Sequence, residues 1–161
     1  MEWGSDGAAG GNAEGMTIPV LLGAAALLNA ILAGFYFAYA TVIAGQRTAD
    51  GGEAMVRMNA AVERPPFIAL FLVAPTAAAL SSVWILVADG ARAAGIVAAI
   101  AAACAVAACV STMAVNVPLN QRLAAGAVGW PEYARTWGTW NLARTWLCAL
   151  AAVGLGLAAL A

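Results

Sequence analysis

The sequence contains no histidine and no lysine, and these absences exclude several kinds of chemistry. Without histidine, the chain lacks the commonest general base and the commonest ligand of transition metals. Without lysine, it cannot form a Schiff base through that side chain. Cys104, Cys109 and Cys148 lie inside apolar runs without a Cys-x-x-Cys pair, so we interpret them as small apolar side chains. Metal-ligand clusters, glycine-rich phosphate loops and nucleophile elbows are also missing from the sequence.

Charge is scarce as well. Charged residues make up 9% of the 161 residues and hydrophobic residues 64%, whereas an average globular domain carries roughly 25% charged residues. This composition excludes disorder over most of the chain and argues strongly against a soluble monomer. Because the formal net charge is −1, the chain has no basic patch, and we expect no nucleic-acid partner.

Four apolar runs are each long enough for a helix that crosses a bilayer, which takes about 20 residues. They cover residues 18–44, 65–88, 93–117 and 137–161, and they contain a single charge, Arg144. The sequence therefore predicts an all-α fold, an integral membrane four-helix bundle within residues 16–161. No acidic residue falls within the runs, which argues against a proton-coupled transporter.

The segments outside the spans carry the predictions about topology. Residues 1–15 are rich in glycine and carry no basic residue, so we expect a flexible tail and not a cleaved signal peptide. Loop one is expected to contain a short amphipathic helix through Met55, Met58 and Val62, and a helix starting near residues 129–132 is expected to run into span four. Arginines concentrate in loops one and three, which predicts that both loops are cytoplasmic and both termini outside, in a bacterial cytoplasmic membrane.

The clearest polar pattern lies in span four, where Trp137, Trp140, Asn141 and Arg144 follow the spacing i, i+3, i+4, i+7. This spacing places two indoles, an amide and a guanidinium on one helical face. A charge at mid-bilayer costs about 2.5–3.5 kcal/mol on insertion scales. Two interpretations stay open: an interfacial anchor in which Arg144 snorkels to the surface, and an interior site for an anion or oxyanion.

The end of span three carries a second polar pattern, in which Asn116 and Asn120 flank Pro118. A proline removes one backbone donor, and nearby amides or water can satisfy the carbonyls that it frees. The segment is therefore either a capped helix exit or part of a polar pocket shared with span four. For the second case, we predict Asn120 and Arg144 in one cavity with Asn59 at its mouth.

Span one contributes Asn29 and Tyr36, which are seven residues apart and share a helical face. An asparagine in the middle of a span either holds two helices together, a contribution of about 0.6–2 kcal/mol, or takes part in a site.

Four segments together resemble the anthrone oxygenase-like family of small membrane proteins, and the resemblance covers roughly residues 18–160. They are Ala-Gly-Phe-Tyr-Phe-Ala-Tyr at 33–39, Met-Val-Arg-Met-Asn at 55–59, Asn-Val-Pro-Leu-Asn at 116–120 and Trp-Gly-Thr-Trp-Asn-Leu-Ala-Arg-Thr at 137–145. The family pattern often has histidine after the span-four asparagine, where this chain has Leu142. It often has Asn-Pro where this chain has Arg64-Pro65-Pro66.

The resemblance implies a monooxygenase that oxidises an aromatic polyketide anthrone to a quinone with O2 as co-substrate and with no metal or flavin cofactor. It implies that the guanidinium stabilises the enolate oxygen, that amides bind the other oxygens and that aromatic rings stack on the substrate. The residues implied for catalysis are Arg144, Asn141, Asn120 and Asn116, and those implied for substrate binding are Asn59, Trp137, Trp140, Tyr36 and Asn29. The general base stays open among Glu63, ionised Tyr36 and water.

A second hypothesis is non-enzymatic: a membrane binding or scaffold subunit for a lipophilic partner. In this hypothesis Gly95 and the many alanines of span three pack between protomers. Under the enzyme hypothesis the expected partners are a lipophilic aromatic molecule and the lipid bilayer. A homo-oligomer is compatible with the small surface that four helices bury.

Overall fold

Every regular element in the structure, a computed structural model that describes residues 6–45, 51–89 and 92–161, is helical. Helix α1 spans Asp6–Gly45, α2 spans Gly52–Val62, α3 spans Phe67–Asp89 and α4 spans Ala93–Ser111. A π-helical turn, Thr112–Asn116, joins α4 to α5 (Val117–Ala124), and α6 spans Trp130–Ala159. Four segments are long and apolar enough to cross a membrane, namely Thr17–Ile43, Phe67–Ala88, Ala93–Ala124 and Trp130–Ala159. The predicted all-α membrane bundle is therefore confirmed, and the chain is an integral membrane protein.

The four long helices form a ring in which α1 and α4 each pack against both α3 and α6. The interior of this ring changes character along its length. Far from α2 and α5, it consists mainly of alanine and leucine, such as Ala25, Ala101 and Leu155. At the end that carries α2 and α5, which we call the loop end, it contains large aromatic side chains, including Tyr133 and Trp137. The bundle is therefore narrow and tightly packed at one end and built from bulky rings at the other.

The narrow end depends on small residues that let α4 and α6 approach closely. The buried face of α4 consists of one glycine and five alanines, Gly95, Ala98, Ala101, Ala102, Ala105 and Ala108. A Cβ atom added at Gly154 of α6 would lie 2.8 Å from the Cβ of Ala101. These buried small residues of span three pack within the chain.

Two helix boundaries differ from the prediction. The third span continues past residue 117 to Ala124, because the π-helical turn leads directly into α5, with Pro118 in its first turn. The first helix begins at Asp6, within the segment predicted to be a flexible tail. Residues 1–5 lie outside the described residues, as does Arg47, one of the arginines used to predict the orientation.

Helix α2 is the amphipathic helix predicted in loop one, and it covers the loop end. Its residue Met55 is fully buried, Asn59 is nearly so, and the helix packs against α5. Gly51, just before α2, lies so close to the indole of Trp130 that an added Cβ would come within 2.6 Å of the ring. The apolar face of α2 is therefore turned towards the protein.

The close contact between α4 and α6 predicts opposite effects for two neighbouring glycines. Gly154→Ala should destabilise the bundle, because the new methyl group meets Ala101 and overpacking costs about 1–3 kcal/mol. Gly156→Ala is the matched control: nothing lies within 4 Å of its added Cβ, and the gain in helix propensity is up to about 1 kcal/mol. Thermal unfolding in one detergent measures both variants, and a Gly154→Ala protein as stable as Gly156→Ala would contradict the packing described here.

Candidate active site

A cleft lies at the loop end, between the four membrane helices and α2. It encloses a cavity of about 110 Å³ that is partly open to the exterior. Its lining includes seven of the nine predicted site residues: Tyr36, Asn59, Asn116, Asn120, Trp137, Asn141 and Arg144. Residues that lie more than a hundred positions apart in the chain therefore share one cleft.

Arg144 lies in the deep part of this cleft and is only 3% exposed. Its Nη1 donates to Oγ1 of Thr112 at 3.0 Å, and its Nη2 donates to Oδ1 of Asn141 at 3.0 Å. Nε is buried and has no hydrogen-bond partner. Within the ranges that the structure describes, no carboxylate lies within ion-pair distance of this guanidinium. The cleft therefore contains a buried cation held by neutral groups alone.

Asn116 adds a third acceptor, because the π-helical turn directs its side chain into the cleft. In the amide orientation that satisfies its neighbours, its oxygen accepts from Nη2 of Arg144 and from Nε1 of Trp137, each at 3.2 Å. π-Helical turns are rare and occur often at functional sites. Here Thr112 and Asn116, at the two ends of the turn, both contact the same guanidinium.

Two aromatic faces flank the cation. Cζ of Arg144 lies 4.6 Å from the centroid of the Tyr36 ring and 5.4 Å from that of Trp137. Both distances are within the range in which the ring quadrupole attracts a cation. These contacts keep the guanidinium charged and oriented, and they make the adjoining walls of the cleft flat and aromatic. Such a surface suits a flat, electron-rich guest.

Asn141 fixes the position of the guanidinium relative to α1. Its Nδ2 donates to the backbone carbonyl of Tyr36 at 2.7 Å while its Oδ1 accepts from Arg144. One amide therefore links α1 to α6 and holds the cation. Asn141 is fully buried, and its hydrogen bonds are made to groups of the protein.

A second polar group at the loop end centres on Tyr133, a residue that the sequence analysis missed. Its hydroxyl donates to Oδ1 of Asn120 at 2.7 Å and accepts from Nδ2 of Asn59 at 3.4 Å. Its ring stacks between Trp130 and Trp137, with centroid distances of 5.8 and 6.3 Å. This group joins α2, α5 and α6, so it positions the two asparagines at the cleft wall.

Two predicted site residues lie elsewhere. Trp140 is 40% exposed and lies outside the cleft lining. It follows Trp137 by three residues, which is about 300° of rotation around the helix, so it lies at the lipid-facing edge of the polar stripe. Asn29 is fully buried and donates to the carbonyls of Ala25 and Ala74 at 2.9 and 3.3 Å. It joins α1 to α3 and does not line the cleft, which agrees with the interhelical alternative.

The cysteines and the acidic residues form no further site in the described part of the chain. Cys104, Cys109 and Cys148 are free thiols within the bundle. No group of three potential metal ligands among histidine, cysteine, aspartate and glutamate occurs in that part. Glu63, which follows α2, is exposed and is the one acidic side chain in the described cleft lining.

Comparison with protein families supports the resemblance seen in the sequence. The family model for anthrone oxygenase matches residues 65–154, more than half of the chain. The chain belongs to the anthrone oxygenase family. The matched region contains Asn116, Asn120, Asn141 and Arg144, whereas the contributions of α1 and α2 to the cleft precede it. No curated protein and no solved structure matches the chain.

Proposed function

We propose that this member of the anthrone oxygenase family is a membrane-embedded oxygenase that converts a polycyclic anthrone-type phenol to a quinone with O2 and without a metal or organic cofactor. The observation that carries the proposal is the buried Arg144 guanidinium, which has no carboxylate partner among the described residues and lies against two aromatic rings. A cation in this setting favours a ligand that carries or develops negative charge on oxygen.

Because of the substrate's own reactivity, a site that binds and stabilises its enolate is sufficient for oxidation by O2. An anthrone has an acidic methylene group opposite its carbonyl, and loss of one methylene proton gives an enolate whose charge rests largely on oxygen. The enolate transfers one electron to O2, and the resulting radical and superoxide combine at the former methylene carbon. After protonation, the hydroperoxide loses water: the second C–H proton leaves and the O–O bond breaks. The balance is one anthrone and one O2 giving one quinone and one water.

In this mechanism the cleft binds, orients and stabilises the enolate. The guanidinium of Arg144 faces the enolate oxygen, and the rings of Tyr36 and Trp137 stack on the polycycle. The amides of Asn116 and Asn120 hydrogen-bond the remaining oxygens of the substrate, and Asn59 closes the cleft from α2. Asn141 acts through Arg144 and is a positioning residue, because its own hydrogen bonds are made to the protein.

We assign the base to Glu63. Among the described residues, it is the one carboxylate in the cleft lining, and it is exposed at the rim while Arg144 is buried in the deep part. The carbonyl and the methylene of an anthrone lie at opposite ends of its central ring. With the carbonyl oxygen at the guanidinium, the methylene therefore points towards the rim, where a carboxylate can accept the proton.

Removal of the cation tests the proposal directly. In purified protein supplied with an anthrone, Arg144→Gln should lower turnover by about 10²–10³-fold, the usual cost of losing an oxyanion-stabilising donor. O2 uptake and quinone absorbance, both corrected for the rate without protein, measure the effect. Arg135→Gln is the control, since Arg135 is exposed on the same helix and lies outside the cleft lining. Unchanged turnover in Arg144→Gln would remove this residue from the mechanism.

The base assignment has its own test. Glu63→Gln should lower the rate of quinone formation by about 10²–10⁴-fold, the typical contribution of a positioned general base, while affinity for the quinone product changes little. Glu53→Gln serves as the matched variant, because Glu53 lies on α2, is 94% exposed and pairs with Arg57 away from the cleft. If Glu63→Gln turns over like Glu53→Gln, proton removal belongs to water or to another group.

The same assays separate this proposal from the non-enzymatic hypothesis. A binding or scaffold subunit would take up a lipophilic phenol or a protein partner and consume no O2 with any phenol. Oxygen consumption that depends on Arg144 favours the enzyme.

A further inference from the structure

The rim of the cleft differs in character from its interior. The deep residues Asn116, Asn141 and Arg144 are polar and at most 3% exposed. On one side of the rim, the lining consists of apolar residues that are open to the outside: Met113 is 57% exposed, and Ile68 and Val117 are partly exposed. The cleft therefore has an apolar opening that leads to a polar interior.

This opening lies at membrane height. Ile68 belongs to the span Phe67–Ala88, and both Met113 and Val117 belong to the span Ala93–Ala124. Helix α3 packs along α4 but has no extensive contact with the π-helical turn or α5. We call the part of the cleft lining between the start of α3 and the end of the third span the gap; its residues belong to two membrane-spanning segments.

The opposite side of the cleft is covered. Asn59 and Val62 of α2 contribute to the lining, and the fully buried Met55 anchors that helix over the loop end. Tyr39 and Trp137, whose ring centroids are 5.9 Å apart, close the side between α1 and α6. Among the described lining residues, the charged and exposed Glu63 marks the polar part of the rim, and Met113 marks the apolar part.

We infer that the aromatic ligand enters the cleft sideways from the bilayer, through the gap bounded by Ile68, Met113 and Val117. The inference rests on the proposed function for the nature of the ligand. A lipophilic polycycle concentrates in the membrane, so the bilayer is its main reservoir. An apolar rim lets the flat molecule slide between two helices before its oxygens reach the guanidinium and the amides.

The test uses a fluorescent dihydroxyanthraquinone dissolved in liposomes that contain the purified protein, followed by stopped-flow fluorescence of the probe. Met113→Trp should narrow the gap and slow both association and dissociation by about tenfold, while Kd changes much less, because an obstacle at the rim slows entry and exit alike. Val110→Trp is the control: Val110 lies one turn earlier, is 58% exposed and is not part of the cleft lining.

The other side of the gap provides a second, independent pair of variants. Ile68→Trp should have the same effect as Met113→Trp, with Leu72→Trp as control, since Leu72 is 55% exposed on α3 and outside the cleft lining. For the unmodified protein, the association rate should follow the mole fraction of probe in the lipid and not its aqueous concentration.

The outcomes separate the two proposals. If the unmodified protein binds the probe and the rim variants bind it at the unmodified rates, sideways access is wrong while the proposed function stands. An association rate that follows the aqueous concentration would likewise overturn sideways access alone. If the unmodified protein binds no probe, both the access route and the proposed function fail.

Discussion

The organisation of the loop end depends on one buried cation. A guanidinium taken out of water is costly unless hydrogen bonds or an opposite charge compensate it. Around Arg144, in the part of the chain that the structure describes, the compensation comes from neutral acceptors and two aromatic faces supplied by α1, the π-helical turn and α6. This arrangement keeps the charge in place without neutralising it. An oxyanion bound or formed in the cleft would complete the compensation, which is the physical basis of the proposed chemistry.

The polar loop end is supported by close packing at the opposite end of the bundle. At the other end, α4 and α6 approach so closely that a single added methyl group at Gly154 would collide with Ala101. Dense packing of small side chains there holds α4 and α6 together. The loop end can therefore hold a cleft, a π-helical turn and a buried charge.

Hydropathy and helical spacing were sufficient to predict the four spans and the loop-one helix, and they indicated polar side chains at the ends of the spans. They were insufficient for side chains whose position is determined by contacts between helices. Trp140 lies at the edge of the polar stripe of α6, and its exposure to lipid follows from the placement of the neighbouring helices. Asn29 lies on the same face of its helix as Tyr36, but its amide donates to the carbonyl of Ala74 on α3 and does not line the cleft. Tyr133 continues the polar stripe one turn before Trp137, so the spacing could have indicated it. The contact of Thr112 with Arg144 joins two helices and has no counterpart in the spacing.

The central claim, that the buried guanidinium stabilises an oxyanion in the cleft, is tested most directly by the ionisation of a bound phenol. A hydroxyanthraquinone changes colour when its phenol ionises, so absorbance against pH gives the midpoint for the bound dye and for the dye in protein-free liposomes. A nearby cation favours the ionised form, so the account predicts a midpoint lower by about 1–3 pH units in the unmodified protein and a much smaller change in Arg144→Met. A bound midpoint equal to or above that in liposomes would contradict it.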